Sequence, residues 1–115
     1  LMVLASFIEP TREVWPEVRM LIKRVGAGDA SLFGNVAFDV FDEPIRLDRL
    51  ARYLSDPNHL MVIAEDQGQV IGQAAAVLHH HPDKPMELYI DELGVTPSRH
   101  REGIGRRLLE ELLDW

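Results

Sequence analysis

Glu92-Leu-Gly-Val-Thr-Pro-Ser-Arg-His-Arg-Glu-Gly-Ile-Gly-Arg-Arg-Leu-Leu109 decides how this chain reads. Its first residues end a β-branched and aromatic strand that starts near Met86. A short basic loop follows, closes on Gly103-Ile104-Gly105, and passes at once into an amphipathic helix over Gly103 to Trp115. In that helix Ile104, Leu108, Leu112 and Trp115 form one apolar stripe, widened by Leu109 and Leu113. Arg106, Arg107, Glu110, Glu111 and Asp114 lie opposite, with Arg106–Glu110 and Arg107–Glu111 at i,i+4 spacing. Arg101, Arg106 and Arg107 gather at the positive end of the helix dipole, where cations are disfavoured. An anion on the turn reverses that penalty. Glycines without Cβ, free amides and a helix start suit a phosphate or pyrophosphate. A lone G-x-G is equally compatible with an ordinary turn carrying solvated arginines.

Upstream, Leu60-Met-Val-Ile-Ala64 reads as a strand and Asp66-Gln-Gly-Gln69 as a turn. Val70 to Leu78 is the returning strand of a hairpin. Gly72 inside it predicts a bulge or a close backbone approach. Further back, Leu47, Leu50, Ala51 and Leu54 mark a helix closed by Pro57. Residues 29–44 read as a long loop with a short helix at most. Val14, Val18, Leu21, Ile22 and Val25 follow helical spacing after a Thr11 cap, and Gly26-Ala-Gly28 ends that helix. Met2 to Ile8 reads as a first strand. The predicted order is β-α-α-β-β-β-α in one domain over residues 1–115. Adjacent antiparallel strands flanked by helices make an α+β sandwich rather than a doubly wound parallel sheet.

At 115 residues, with 46% apolar and 27% charged residues, the composition is that of a globular domain with one core. The absence of cysteine excludes disulfides and thiolate metal sites. A net charge of −7 argues against general nucleic-acid binding and suits a cationic partner. No apolar run reaches membrane-span length, and no signal-peptide pattern precedes the domain, so no membrane partner and a cytoplasmic location are the expectation. The chain begins at Leu1 and stops at Trp115 within a helical pattern. A continuation of the natural polypeptide is therefore expected.

The segment around the G-x-G resembles the acetyl-CoA-binding segment of the GNAT superfamily of N-acetyltransferases. Leu93-Gly94-Val95 resembles the strand whose backbone pairs with the pantetheine arm. His100-Arg101-Glu102-Gly103-Ile104-Gly105, followed by Arg106, resembles the pyrophosphate loop. The family's usual His-Arg order is here Arg99-His100, so Arg99 or Arg101 is expected to replace a guanidinium at the first motif position. The resemblance implies acetyl-CoA as cosubstrate and no metal. Leu32-Phe33-Gly34, Tyr53-Leu-Ser-Asp56 and Tyr89-Ile-Asp-Glu-Leu-Gly-Val95 resemble aminoglycoside 3-N-acetyltransferases within the superfamily. A full domain of this kind has roughly 150 residues, so later strands and a final helix are expected beyond Trp115. A Tyr general acid is expected there too, since neither Tyr53 nor Tyr89 matches its position.

Glu92 matches the acidic position that faces the acetyl group, and is read as base or substrate anchor, with Asp91 second. On a regular strand the two point to opposite faces, so both face a cleft only if the strand bulges. The alternative is a pair of edge charges. Asp39, Asp42 and Glu43, among Phe38 and Phe41, read as a wall for a cationic substrate or as a solvated loop. His79-His80-His81 cannot converge on one metal from extended chain, and His59 and His100 read as satisfied or exposed. The functional expectation is acetyl transfer from acetyl-CoA to a small cationic amine, with an aminoglycoside as the leading substrate. The alternatives are an acyl-CoA-binding or subunit-interaction module without catalysis, and acetylation of protein amines. The open edge of the last strand admits a homodimer.

Overall fold

A computed structural model of the chain describes residues 20–115. Four strands form one antiparallel sheet in the order β1-β2-β3-β4: Met20–Val25, His59–Asp66, Gln69–His79 and Glu87–Val95. Two helices, α1 (Leu47–Ser55) and α2 (Ile104–Leu113), and two 3-10 turns, Ala30–Gly34 and Pro97–Arg99, complete the described residues. The predicted strand at 2–8 and the helix from Thr11 to residue 19 lie outside the described residues.

Alternation along β2 assigns the two faces of the sheet. Val62 and Ala64 pack with Ile104, Leu108 and Leu112 of α2. Met61 and Ile63 pack with Leu50 and Leu54 of α1 and with Phe33 and Val40 of the loop before it. The sheet is thus the middle of three layers. The β2–β3 hairpin turns through Gln67 and Gly68, both at positive φ (53° and 81°), the mirror-image turn that matches strand twist.

Three expectations change. Residues 20–25 are a strand, not the end of a helix, pairing from Met20↔Asp66 to Val25↔Met61. The apolar stripe of α2 stops at Leu112, because Leu113 and Trp115 are exposed. The i,i+4 pairs of α2 are absent from its ion pairs. Glu111 instead binds Arg24 on β1 at 2.6 Å, and the Arg24 guanidinium lies 5.4 Å from the centre of the Trp115 ring.

Two irregularities shape the site. In β2–β3 the register steps from Ala64↔Gly72 to Glu65↔Val70, so a bulge does sit beside Gly72. In β3–β4 it steps from Ala75↔Glu92 to Ala76↔Ile90, leaving Asp91 as an unpaired extra residue. The long loop is stitched to the sheet where β4 does not reach. Ala37 N–H donates to Val70 O and Val70 N–H donates to Asn35 O, both at 2.8 Å.

Candidate active site

The bulge at Asp91 meets the condition under which both acids share a cleft. Asp91 and Glu92 together line a cavity of about 340 Å³ whose other walls are Phe41 to Arg46, Arg49 and Tyr53. They also line a second cleft of about 410 Å³ with Asp39, Asp42 and Gln73. Asp42 belongs to both, and Glu43 to the first. The five carboxylates singled out from sequence therefore surround one continuous region. Asp39 holds a positive φ of 63°, a left-handed conformation that Asp tolerates better than most residues.

Tyr53, on α1, was not assigned a role in the sequence. It is half-buried, its ring stacks on His59 with centroids 4.6 Å apart, and it faces the acids from across the cavity. Burial first, then the negative charges of Asp91 and Glu92, push its hydroxyl up to about 12. It remains a neutral phenol through the physiological range. Gln73 on β3 was missed as well. It is only 2% exposed, and its Nε2 donates to Glu92 Oε1 at 2.9 Å and to Val40 O at 3.3 Å. The signal was present in sequence, as the one polar side chain within the apolar run Val70 to Leu78.

A third cleft, of about 440 Å³, opens where the basic loop meets α2. Leu93, Val95, Arg99, His100, Arg101, Gly103, Ile104 and Gly105 line it. Gly103 caps the helix in the left-handed region at φ 78°. The first intrahelical bond recorded there is from Arg107 N–H to Gly103 O at 3.1 Å. The amides of Ile104, Gly105 and Arg106 are the early donors a helix leaves unused, available to an anion. A Cβ on Gly105 would meet nothing closer than Leu93 at 3.9 Å, so the fold itself does not demand glycine there.

The swapped Arg99-His100 pair has its own explanation. Arg99 is committed within the protein: Nη1 binds Asp66 Oδ2 at 3.0 Å and Nε binds Glu102 Oε1 at 3.0 Å. It pins the loop to the β2–β3 hairpin, and Glu102 serves as its counterion. Both charges hold its pKa above the ordinary guanidinium value, the Glu102 hydrogen bond most of all. His100 turns back so that Nε2 lies 2.7 Å from Val95 O. Arg101, at φ 70° and exposed, has no ion-pair partner among the described residues. Arg106 is also exposed and does not line the cleft.

Gly94 separates from its neighbours. Leu93 and Val95 reach the phosphate-sized cleft, whereas Gly94 lies opposite Gln73, beneath Val40 on the acidic side. The three histidines engage locally: His81 Nε2 lies 2.7 Å from Glu87 Oε1, His80 Nε2 lies 3.2 Å from Asn58 Oδ1, and the His79 and His81 rings stack at 4.4 Å. Among the described residues no group of three or more His, Asp or Glu side chains could hold a metal ion.

A profile of the acetyltransferase (GNAT) family matches residues 31–115. An N-alpha-acetyltransferase RimI of Mycobacterium tuberculosis (strain ATCC 25618 / H37Rv) is 38% identical over 77 residues, which are 66% of this chain and 48% of that protein. The chain spans about half the length of that curated relative. Among solved structures, an aminoglycoside acetyltransferase, meta-AAC0020, from an uncultured soil metagenomic sample in complex with sisomicin superposes with a TM-score of 0.67 at 19% identity. It covers 85% of this chain and 70% of that one. The aminoglycoside acetyltransferase AAC(6')-Iy, in complex with a bisubstrate analog, gives 0.65 at 19% identity, covering 84% and 70%. At these identities the two structures establish a shared fold.

Proposed function

The chain belongs to the acetyltransferase (GNAT) family, and from that premise we propose that it transfers the acetyl group of acetyl-CoA to a primary amine of a small cationic substrate. One observation carries the reading. The acidic cleft and the cleft at the start of α2 adjoin, sharing Leu93, Val95 and His100 as lining. A cation held by Asp39, Asp42, Glu43 and Asp91 is brought beside a cosubstrate whose pyrophosphate sits on the amides of Gly103 to Arg106. Leu93 to Val95 lie along β4, the last strand of the described sheet, where an extended pantetheine arm has backbone to follow.

In this mechanism the substrate ammonium loses a proton to Glu92, directly or through water. The neutral nitrogen then attacks the thioester carbonyl. A carbon–nitrogen bond forms, the tetrahedral intermediate collapses with breakage of the carbon–sulfur bond, and the departing CoA thiolate takes up the proton shed by the new amide nitrogen, leaving as the thiol. No covalent bond to the protein is needed. Binding supplies proximity, and a backbone amide of Leu93–Val95 steadies the developing oxyanion. An aminoglycoside is the favoured amine, with the 3-amino group as the finer assignment. Similarity to the RimI protein favours a second reading, the α-amine of a protein N-terminus.

Thiol release from acetyl-CoA, measured with sisomicin, spermine and an N-terminal peptide, separates these readings. Glu92→Gln is expected to lower turnover by about a hundredfold or more with CoA affinity unchanged. Turnover unaffected at every pH removes Glu92 from the chemistry. CoA binding without amine-dependent thiol release leaves a non-catalytic binding module.

A further inference from the structure

We infer that Gln73 is a positioning residue, whose buried amide locks the Glu92 carboxylate and the acidic loop into one wall of the amine site. The inference rests on the acetyl-transfer reading for its chemistry, but its geometry stands independently. Gln73 comes from β3, one strand in from the edge, and its side chain emerges on the face opposite α2, level with Gly94. From there one Nε2 spans two elements that no backbone ladder joins. It donates to Glu92 Oε1 on β4 and to Val40 O in the loop that carries Asp39 and Asp42. Both partners are acceptors, which fixes which end of the amide is nitrogen.

The remaining end argues that this is not a packing device. Gln73 Oε1 is buried and has no hydrogen-bond partner among the described residues. An unsatisfied buried acceptor is a cost, of the kind tolerated where a site is built. An apolar side chain of similar length fills the same space without that cost. The arrangement therefore uses stability to aim a carboxylate. Glu92 is otherwise an exposed side chain on the last strand of the described sheet, and among the described residues Gln73 is the only side chain hydrogen-bonded to it. Holding it toward the cleft replaces a search with a fixed geometry, which is where positioned acids gain their rate advantage.

Gln73→Met in the intact chain separates aim from packing, since it keeps length and volume but removes the N–H donors. The expected result has three parts. The melting temperature stays within about 4 °C of the parent's, because removing the orphaned acceptor offsets the lost bonds to Val40 O and Glu92. Hydrogen exchange at the amides of 39–43 quickens by about tenfold or more as the loop loses its tether. Amine-dependent kcat falls by about tenfold or more while KM for acetyl-CoA stays within about twofold. In a Glu92→Gln background the same substitution is then nearly silent in kcat, because there is no carboxylate left to aim. Unchanged exchange in the loop, or losses in kcat that multiply independently of Glu92, overturn the inference. If sisomicin, spermine and the N-terminal peptide are all left unacetylated, the acetyl-transfer reading falls, while the exchange experiment still decides whether Gln73 tethers the loop.

Discussion

Replacing Gly94 by alanine drives a methyl group into the backbone of the acidic loop. An ideal Cβ at this position lies 2.2 Å from Val40 O and 3.2 Å from Val40 C, whereas ordinary contact begins near 3.4 Å. The obstruction is backbone, so no rotamer change relieves it, and the loop must retreat by about 1 Å or more. Overpacking of this kind costs about 1–3 kcal/mol. The retreat also strips Val40 O from Gln73, already at 3.3 Å, a bond worth about 0.5–1.5 kcal/mol. Together these give about 2–4 kcal/mol, or about 8–16 °C in melting temperature for a chain of this size. Gly34→Ala is the control, because no atom lies within 4 Å of its Cβ and its φ is not positive. Its stability should change by less than about 0.5–1 kcal/mol. Thermal melting of the two variants beside the parent, read with amine turnover, decides the matter. If Gly94→Ala melts with Gly34→Ala and keeps full turnover, the loop does not rest on β4 as described. Unchanged melting with turnover lost would instead assign the glycine to the cosubstrate.

Tyr53 gives a pH signature. Its folded-state value near 12 lies above the unfolded value of 10, so the stability it contributes is complete below pH 10 and is lost as pH rises toward 12. Denaturant titrations across that interval should show a shallower decline for Tyr53→Phe than for the parent, and parallel curves would contradict the assignment. Arg99→Ala should lower stability by about 1 kcal/mol, less so in high salt, through loss of the Asp66 and Glu102 pairs. Arg101→Ala should leave stability unchanged and weaken CoA more, as measured by calorimetry; equal CoA affinities for the two would refute this division of labour. Gly103→Val should cost about 1–2 kcal/mol, because φ is 78° at an open position, so the strain comes from the backbone rather than a clash. A melting curve superimposed on the parent's would refute it.

Residues 60–115 were legible because their signals are local: a two-residue turn at Gln67-Gly68, an unbroken apolar run in β2, and a helix of period 3.6 after Gly103. The first described strand was not. Leu21 and Ile22 are adjacent apolar residues, and with Val25 they mimic a helical stripe. Leu21 is in fact 49% exposed on the outer strand of the described sheet, and the six residues are extended because β2 pairs with them. The five acids were singled out by type and motif, but their convergence on one cleft was not legible, since it depends on a register step between β3 and β4. The ion pairs of Arg99 were not legible, because its partner Asp66 is 33 residues away in another turn. Gln73 was visible as an anomaly, yet what it binds belongs to two distant segments.

The extra residue at Asp91 also sets a counting rule for β4. Before it, the even-numbered Ile90 stands opposite Ala76, on the α2 face; after it, the odd-numbered Leu93 stands opposite Ala74, on the same face. The parity of the strand inverts at that point. Leucine and valine thus keep to the packed side through Val95, while Glu92 and Gly94 fall on the acidic side. This information is held in the number of residues rather than in their kinds. Substitutions along β4 change what stands at each place, whereas deleting Asp91 removes the bulge and leaves Ile90, Glu92 and Leu93 in plain alternation on the faces they already hold. Asp91 is accordingly the residue whose loss costs the ladder no pairing and costs the acidic cleft one carboxylate, whereas a codon lost on either side of it must be absorbed by the bulge.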